Sequence, residues 1–195
     1  MFRLFCLIVF KLNGWKIDCD LNLINSHKKY IVIGAPHTSN WDVVYFTAAV
    51  NKLNIKKKFL IKKEWIRFPF NLIFKPLGAI AINKKIKDKS STVNYLTNLF
   101  NIKQELVIAI TPEGTRGHNP YWKTGFYHTA IQANVPILLA YIDYKKKVAG
   151  VFKAFIPTGD ILKDLNYISD FYKNITGKNP QLFSPFKSTP LKDAQ

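Results

Sequence analysis

The chain has 195 residues, 48% of them hydrophobic and 14% aromatic, and 29 Lys and Arg against 12 Asp and Glu give a formal net charge of +17. That length and apolar content exclude a disordered or low-complexity chain and suit one domain with a three-layer core. Cys6 and Cys19 are the only cysteines, which excludes a disulfide framework and makes a reduced, cytosolic setting the simplest expectation.

Nearly all of the positive charge is lysine, because Arg3, Arg67 and Arg116 are the only arginines. An anionic partner is expected: a membrane surface, nucleic acid, an acidic carrier protein or a phosphorylated substrate. Nucleic acid is not the expected one, since no helix-turn-helix, finger or RNA-binding signature is present and the lysines are spread over several loops.

Residues 1–12 are apolar on all sides, with Lys11 near their end. They are too short for the roughly 20 residues that span a bilayer, and no cleavage site follows them. They are either an interfacial segment dipping into one leaflet or a helix packed on the domain; the basic residues elsewhere favour the leaflet, and 1–14 is taken as that segment. Residues 15–23 alternate loosely, as an edge strand does. Tyr30-Ile31-Val32-Ile33 has the β-branched and aromatic composition of a buried strand, and a helix through Val43, Val44, Phe46 and Val50 follows, capped by Ser39 or Asn40.

The basic connection 51–58 leads to a short strand at 59–61. Residues 62–70 interleave aromatics with charge, which suits lipid headgroups or a loop tucking Trp65 and Phe68 under the core. A short helix is expected at 72–76, then a strand at 77–83 that delivers Lys84 and Lys85. Ser90 or Ser91 caps a helix carrying Val93, Leu96, Leu99 and Phe100 at helical spacing, and Leu106-Val107-Ile108-Ala109-Ile110 is the most strand-like run. A helix at 123–133, a buried strand at 137–142, its antiparallel neighbour at 148–155 and an amphipathic helix at 161–175 complete the domain, 15–178. Residues 179–195, rich in Pro, Lys and Ser, read as a loosely packed tail.

Two turns carry chemistry. In Gly34 to Asp42, Pro36 keeps Ala35 extended, so the strand cannot run straight into the helix and His37 lies on the connecting turn. Five residues on an uninterrupted helix would hold His37 and Asp42 about 140° apart, and a turn at 38–40 removes that obstacle. Asp42 can then fix one imidazole nitrogen as donor and leave the other as a proton acceptor, a general base without a protein nucleophile. In Thr111 to Gly117, the planar guanidinium of Arg116 can bind a phosphate at two points, Gly114 permits close backbone approach, and Glu113 can orient Arg116 or the substrate. A metal site built from His37, Glu113 and His118 has no zinc-type spacing behind it.

These residues resemble the glycerolipid acyltransferase family, whose type member acylates 1-acylglycerol-3-phosphate. Pro36, His37 and Asp42 match its first motif, and Pro112 to Arg116 match its third, Pro-Glu-Gly-Thr-Arg. The second motif is matched at Gly78, Ile80 and Ile82, with Lys84 where the family has arginine; Val135-Pro136-Ile137 matches the fourth, and Lys123 and Gly125 its Lys-x-Gly. The resemblance implies that His37 deprotonates an acceptor hydroxyl, which attacks a fatty acyl thioester, with Asp42 orienting it. It further implies that Arg116, assisted by Lys84, holds the acceptor phosphate while Glu113, Gly114 and Thr115 shape that site. No Gly-x-Ser-x-Gly elbow is present, which fits direct transfer.

The expectation is therefore an α/β three-layer sandwich around a mostly parallel central sheet, with its groove at the strand ends. The expected activity transfers an acyl group from acyl-CoA or acyl-acyl-carrier-protein to a lysophospholipid, with no cofactor and no metal, at the cytoplasmic face of an anionic membrane. The alternatives are acylation of a lyso-ornithine or sugar lipid, and a non-catalytic module binding membranes or nucleic acid through its lysines.

Overall fold

The computed structural model describes residues 2–62, 67–68, 71–74, 78–82 and 89–187. The order is α1 (Phe2–Leu12), β1 (Lys16–Cys19), α2 (Leu21–Asn25), β2 (Lys29–Gly34), α3 (Trp41–Lys52), β3 (Lys57–Lys62), α4 (Asn71–Phe74) and β4 (Ala79–Ile82). The chain continues through α5 (Lys89–Ile102), β5 (Leu106–Ile110), α6 (Gly125–Ala133), β6 (Ile137–Asp143), β7 (Val148–Phe155) and α7 (Ile161–Tyr172).

The seven strands form one sheet in the order β1-β7-β6-β2-β5-β3-β4. Every pairing is parallel except β6 with β7. Parallel strands are covered on both faces, so β2, β5 and β6 read as continuous apolar runs, and the pleat sends alternate residues to opposite layers. Ile31 and Ile33 pack with Leu96 and Phe100 of α5, Phe126 of α6 and Leu165 and Ile168 of α7. Tyr30 and Val32 face the other side with Ile24 of α2, while α1 and α3 bury Cys6, Phe10 and Ala48 in an adjoining cluster. The three layers match the sandwich expected from the alternation of strands and helices.

Three details differ from expectation. The edge strand stops at Cys19, because Asp20 accepts a hydrogen bond from the Asn22 amide (2.9 Å) and caps α2. α1 does pack on the domain, through Cys6 and Phe10, and the leaflet reading then bears on its opposite face. The described part of the supposed tail, 179–187, is docked: Trp122 Nε1 donates to the Ser184 carbonyl (2.9 Å), and the Phe186 amide donates to Ser169 Oγ (2.8 Å). Lys84, Lys85 and Trp65 lie outside the described residues.

Candidate active site

The sheet's register builds the site. β2 lies between β6 and β5, with Ile33 opposite both Leu139 and Ile110, so the chain leaves all three strands along the same edge. In open α/β sheets ligands bind at that carboxyl edge. Tyr172, fully buried, ties β2 to β6, its hydroxyl 2.9 Å from the Ile33 carbonyl and 3.0 Å from that of Ala140.

Beyond β2 the Ala35–Pro36 bond is cis, and residues 35–40 form an irregular turn into α3. Asp42, in the first turn of α3, folds back over it. Its Oδ2 accepts from the Thr38 amide (2.9 Å), the Ser39 amide (3.0 Å) and His37 Nδ1 (3.1 Å). The helix N-terminus supplies donors that have no partner within the helix, and a carboxylate is favoured there. Ser39 rather than Asn40 adds the side-chain cap, its Oγ accepting from the Trp41 amide at 3.2 Å. Because Oδ2 only accepts, the imidazole proton sits on Nδ1 and Nε2 is left as the acceptor. The His37 side chain keeps 16% of its surface exposed against 6% for Asp42.

The third motif arrives from the end of β5. The His37 amide donates to Glu113 Oε1 at 2.6 Å, so the two turns are fastened to each other. Sequence reasoning set Glu113 toward Arg116 or the acceptor. In the structure the side chain is 1% exposed and turned on the His37 amide, and among the described residues its Oε2 has no hydrogen-bond partner. The loop beyond is fixed by Asn119 Nδ2 donating to the Glu113 carbonyl (2.8 Å) and the Lys123 amide donating to the Pro112 carbonyl (2.7 Å). Gly114 has φ +66°, and a Cβ there would stand 2.6 Å from the Lys123 side chain. Thr115 and Arg116 are exposed at the rim.

Burial pushes the Glu113 carboxyl up from 4.5 to about 7; the His37 amide and ring pull it down, and Asp42 adds to the rise. Between those two values the folded state holds the proton more tightly than the unfolded one, so this group's stabilisation is full below 4.5 and is lost as pH rises through about 7. At 1.36 kcal/mol per unit the effect is about 3 kcal/mol. Urea unfolding should therefore show Glu113→Gln gaining on the wild type by up to about that amount between pH 5 and pH 8. A stability difference that stays constant over this range contradicts the assignment.

Sequence reasoning missed Tyr144, just past β6, whose hydroxyl donates to Asp42 Oδ1 at 2.7 Å. Burial and the Asp42 carboxylate push this phenol well above its usual range, so it remains a donor. Its position after a central parallel strand was the one signal available. Among the described residues no cluster of three or more His, Cys, Asp or Glu side chains could hold a metal ion.

A family model described as Acyltransferase matches residues 20–142. The 1-acyl-sn-glycerol-3-phosphate acyltransferase of Salmonella typhimurium is 31% identical over 132 residues, 64% of this chain and 51% of its own length. The Haemophilus influenzae enzyme of the same name is 34% identical over 109 residues, 52% of this chain and 43% of its own. The chain thus spans about half the length of the curated relatives it matches. The crystal structure of the 1-acyl-sn-glycerophosphate acyltransferase PlsC from Thermotoga maritima shares the fold, with a TM-score of 0.59 at 16% identity, over 88% of this chain and 75% of that one.

Proposed function

The chain belongs to the acyltransferase family, and on that premise and the geometry around His37 we propose that it moves a fatty acyl group from an acyl thioester to the free hydroxyl of a lysophospholipid, first of all 1-acylglycerol-3-phosphate. The observation that carries this reading is the 2.6 Å bond from the His37 amide to Glu113, which joins the turn bearing the base to the loop bearing Arg116. The His37 Nε2 takes the hydroxyl proton as the oxygen attacks the thioester carbonyl; the C–S bond breaks, and the departing thiolate recovers the proton from His37. Acyl-CoA and acyl-acyl-carrier-protein are the proposed donors, and the reaction needs no further cofactor.

Arg116, exposed three residues beyond Glu113, is the proposed phosphate ligand, because its planar fork matches phosphate oxygens at two points. Arg116→Ala should raise KM for 1-acylglycerol-3-phosphate about tenfold or more, as loss of a charged hydrogen bond does. Phosphate-free acceptors should be unaffected. A panel of acceptors with lipid-product mass spectrometry tests this. Preference for a lyso-ornithine or sugar lipid, indifferent to Arg116→Ala, would favour the second reading, which rests on Lys84 standing in place of arginine.

The proposed location is peripheral, on the cytoplasmic face of an anionic membrane. With 100° per residue, Leu4, Phe5, Ile8 and Leu12 form one exposed stripe of α1, opposite buried Cys6 and Phe10. The formal charge of +17 favours the same surface. Among the described residues no helix is long and apolar enough to cross a membrane. Paired Leu4→Asp and Ile8→Asp substitutions should abolish flotation with anionic liposomes; undiminished flotation argues against α1 as the contact.

A further inference from the structure

A second set of contacts, from residues outside all the sequence motifs, closes on the His37 turn. The Tyr144 ring stands edge-on to Trp15 (5.1 Å, 88°) and to Tyr45 (5.6 Å, 90°), while its hydroxyl reaches Asp42 Oδ1. Its amide donates to the Thr176 carbonyl at 2.9 Å, fastening the segment that follows α7. That segment crosses the turn. The Asn179 amide donates to Thr38 Oγ1 (3.1 Å) and Asn179 Nδ2 donates to the Thr38 carbonyl (2.8 Å). Gly177 lies so close that a Cβ would come within 2.8 Å of Thr38 Oγ1 and 3.0 Å of Pro36 Cβ. Lys178 lays its ammonium over Trp41 (5.0 Å) and Tyr144 (5.9 Å).

Thr38 is consequently held at every polar atom: its amide on Asp42, its carbonyl and hydroxyl on Asn179. Irregular turns are soft unless such bonds hold them, and a base misplaced by an ångström loses much of its effect. Asp42 shows the same logic. Among the described residues, Oδ2 serves three donors and Oδ1 has Tyr144 alone. Without that hydroxyl a buried carboxylate oxygen is unpartnered, and the group turns or recruits another donor at the expense of the imidazole. Among the described residues, the charged and titratable groups around the pair include Glu113 from the β5 loop, Tyr144 from the end of β6, Tyr45 from α3 and Lys178 from the crossing segment.

We propose that Tyr144 and the Thr176–Asn179 strap are positioning elements for the His37–Asp42 pair, acting on turnover through Asp42 and Thr38 rather than by touching substrate. This rests on the reading of His37 as the base. The experiment is steady-state kinetics of the full chain with acyl-CoA and 1-acylglycerol-3-phosphate. Tyr144→Phe is expected to lower kcat about tenfold with KM nearly unchanged. In the double variant with Asp42→Asn the loss should be no greater than in Asp42→Asn alone, because the hydroxyl acts only through that carboxylate. Thr38→Val, which has no hydroxyl, should lower kcat several-fold, and Thr38→Ser should restore it.

Wild-type kcat in Tyr144→Phe, multiplying losses in the double variant, or equal kcat in Thr38→Val and Thr38→Ser would each overturn the proposal. His37→Ala assayed alongside separates the two levels. Unchanged turnover there removes the base itself, whereas loss there with full turnover in Tyr144→Phe and Thr38→Val removes only the positioning. All these substitutions are near-isosteric or truncating, and a thermal unfolding scan of each reports whether the fold is intact.

Discussion

Exchanging His37 for alanine is expected to lower kcat about 10²- to 10⁴-fold, the usual worth of a positioned general base, with much smaller changes in KM. The reason is chemical. At neutral pH an acceptor alcohol is a poor nucleophile, and the turn offers one proton acceptor, Nε2, because Nδ1 is committed to Asp42 at 3.1 Å. Removing the ring leaves the Glu113 bond to the backbone amide of residue 37 in place, since that bond does not involve the side chain. The loss should therefore fall on the proton-transfer step and spare the architecture. Steady-state rates of purified wild type and His37→Ala, measured with saturating acceptor, check it.

Asp42→Asn is expected to cost about 10²- to 10³-fold in kcat. A negative charge some 4 Å from the imidazolium that forms during the reaction is worth about 4 kcal/mol at an effective dielectric of 20, and each 1.36 kcal/mol is tenfold. An asparagine preserves the shape but withdraws that charge. Its amide nitrogen can also face donors that need an acceptor, namely the Thr38 and Ser39 amides on one side or Tyr144 on the other. A kcat within threefold of wild type would mean that Asp42 only builds the turn. Thermal unfolding of the variant distinguishes a lost turn from a lost charge.

How much of this was legible in the sequence depends on how local the cause is. His37 and Asp42 could be paired by reasoning because the strand run, the proline and the helix periodicity all lie in one continuous stretch, from Tyr30 to Val50. The Glu-Gly-Thr-Arg loop could be set beside them because both follow apolar strand runs, and parallel α/β sheets bring such ends to one edge. The three layers and the mostly parallel sheet followed from the same alternation, whereas the strand order β1-β7-β6-β2-β5-β3-β4 did not, because it depends on pairings between distant segments. The bond from the His37 amide to Glu113 was not legible, since a backbone amide is a partner that no residue type advertises. Tyr144 and Asn179 were invisible for a different reason: they meet Asp42 and Thr38 across 102 and 141 residues, from a strand end and a polar segment with no periodicity. α1 posed a choice between lipid and protein as its neighbour, and a helix that is apolar on all sides but for Arg3 and Lys11 has a face available for each: Cys6 and Phe10 are buried on the domain, and Leu12 on the other side is 80% exposed.

The central claim is that a hydroxyl deprotonated by His37 attacks the acyl thioester directly. The most direct test follows protein and lipid masses together in one reaction of the purified chain with acyl-CoA and 1-acylglycerol-3-phosphate. The account predicts phosphatidic acid from the wild type with no acyl adduct on the protein, and product at or below about one-hundredth of that rate from His37→Ala. An acyl adduct that passes on to product, or His37→Ala forming phosphatidic acid as fast as the wild type, would contradict it.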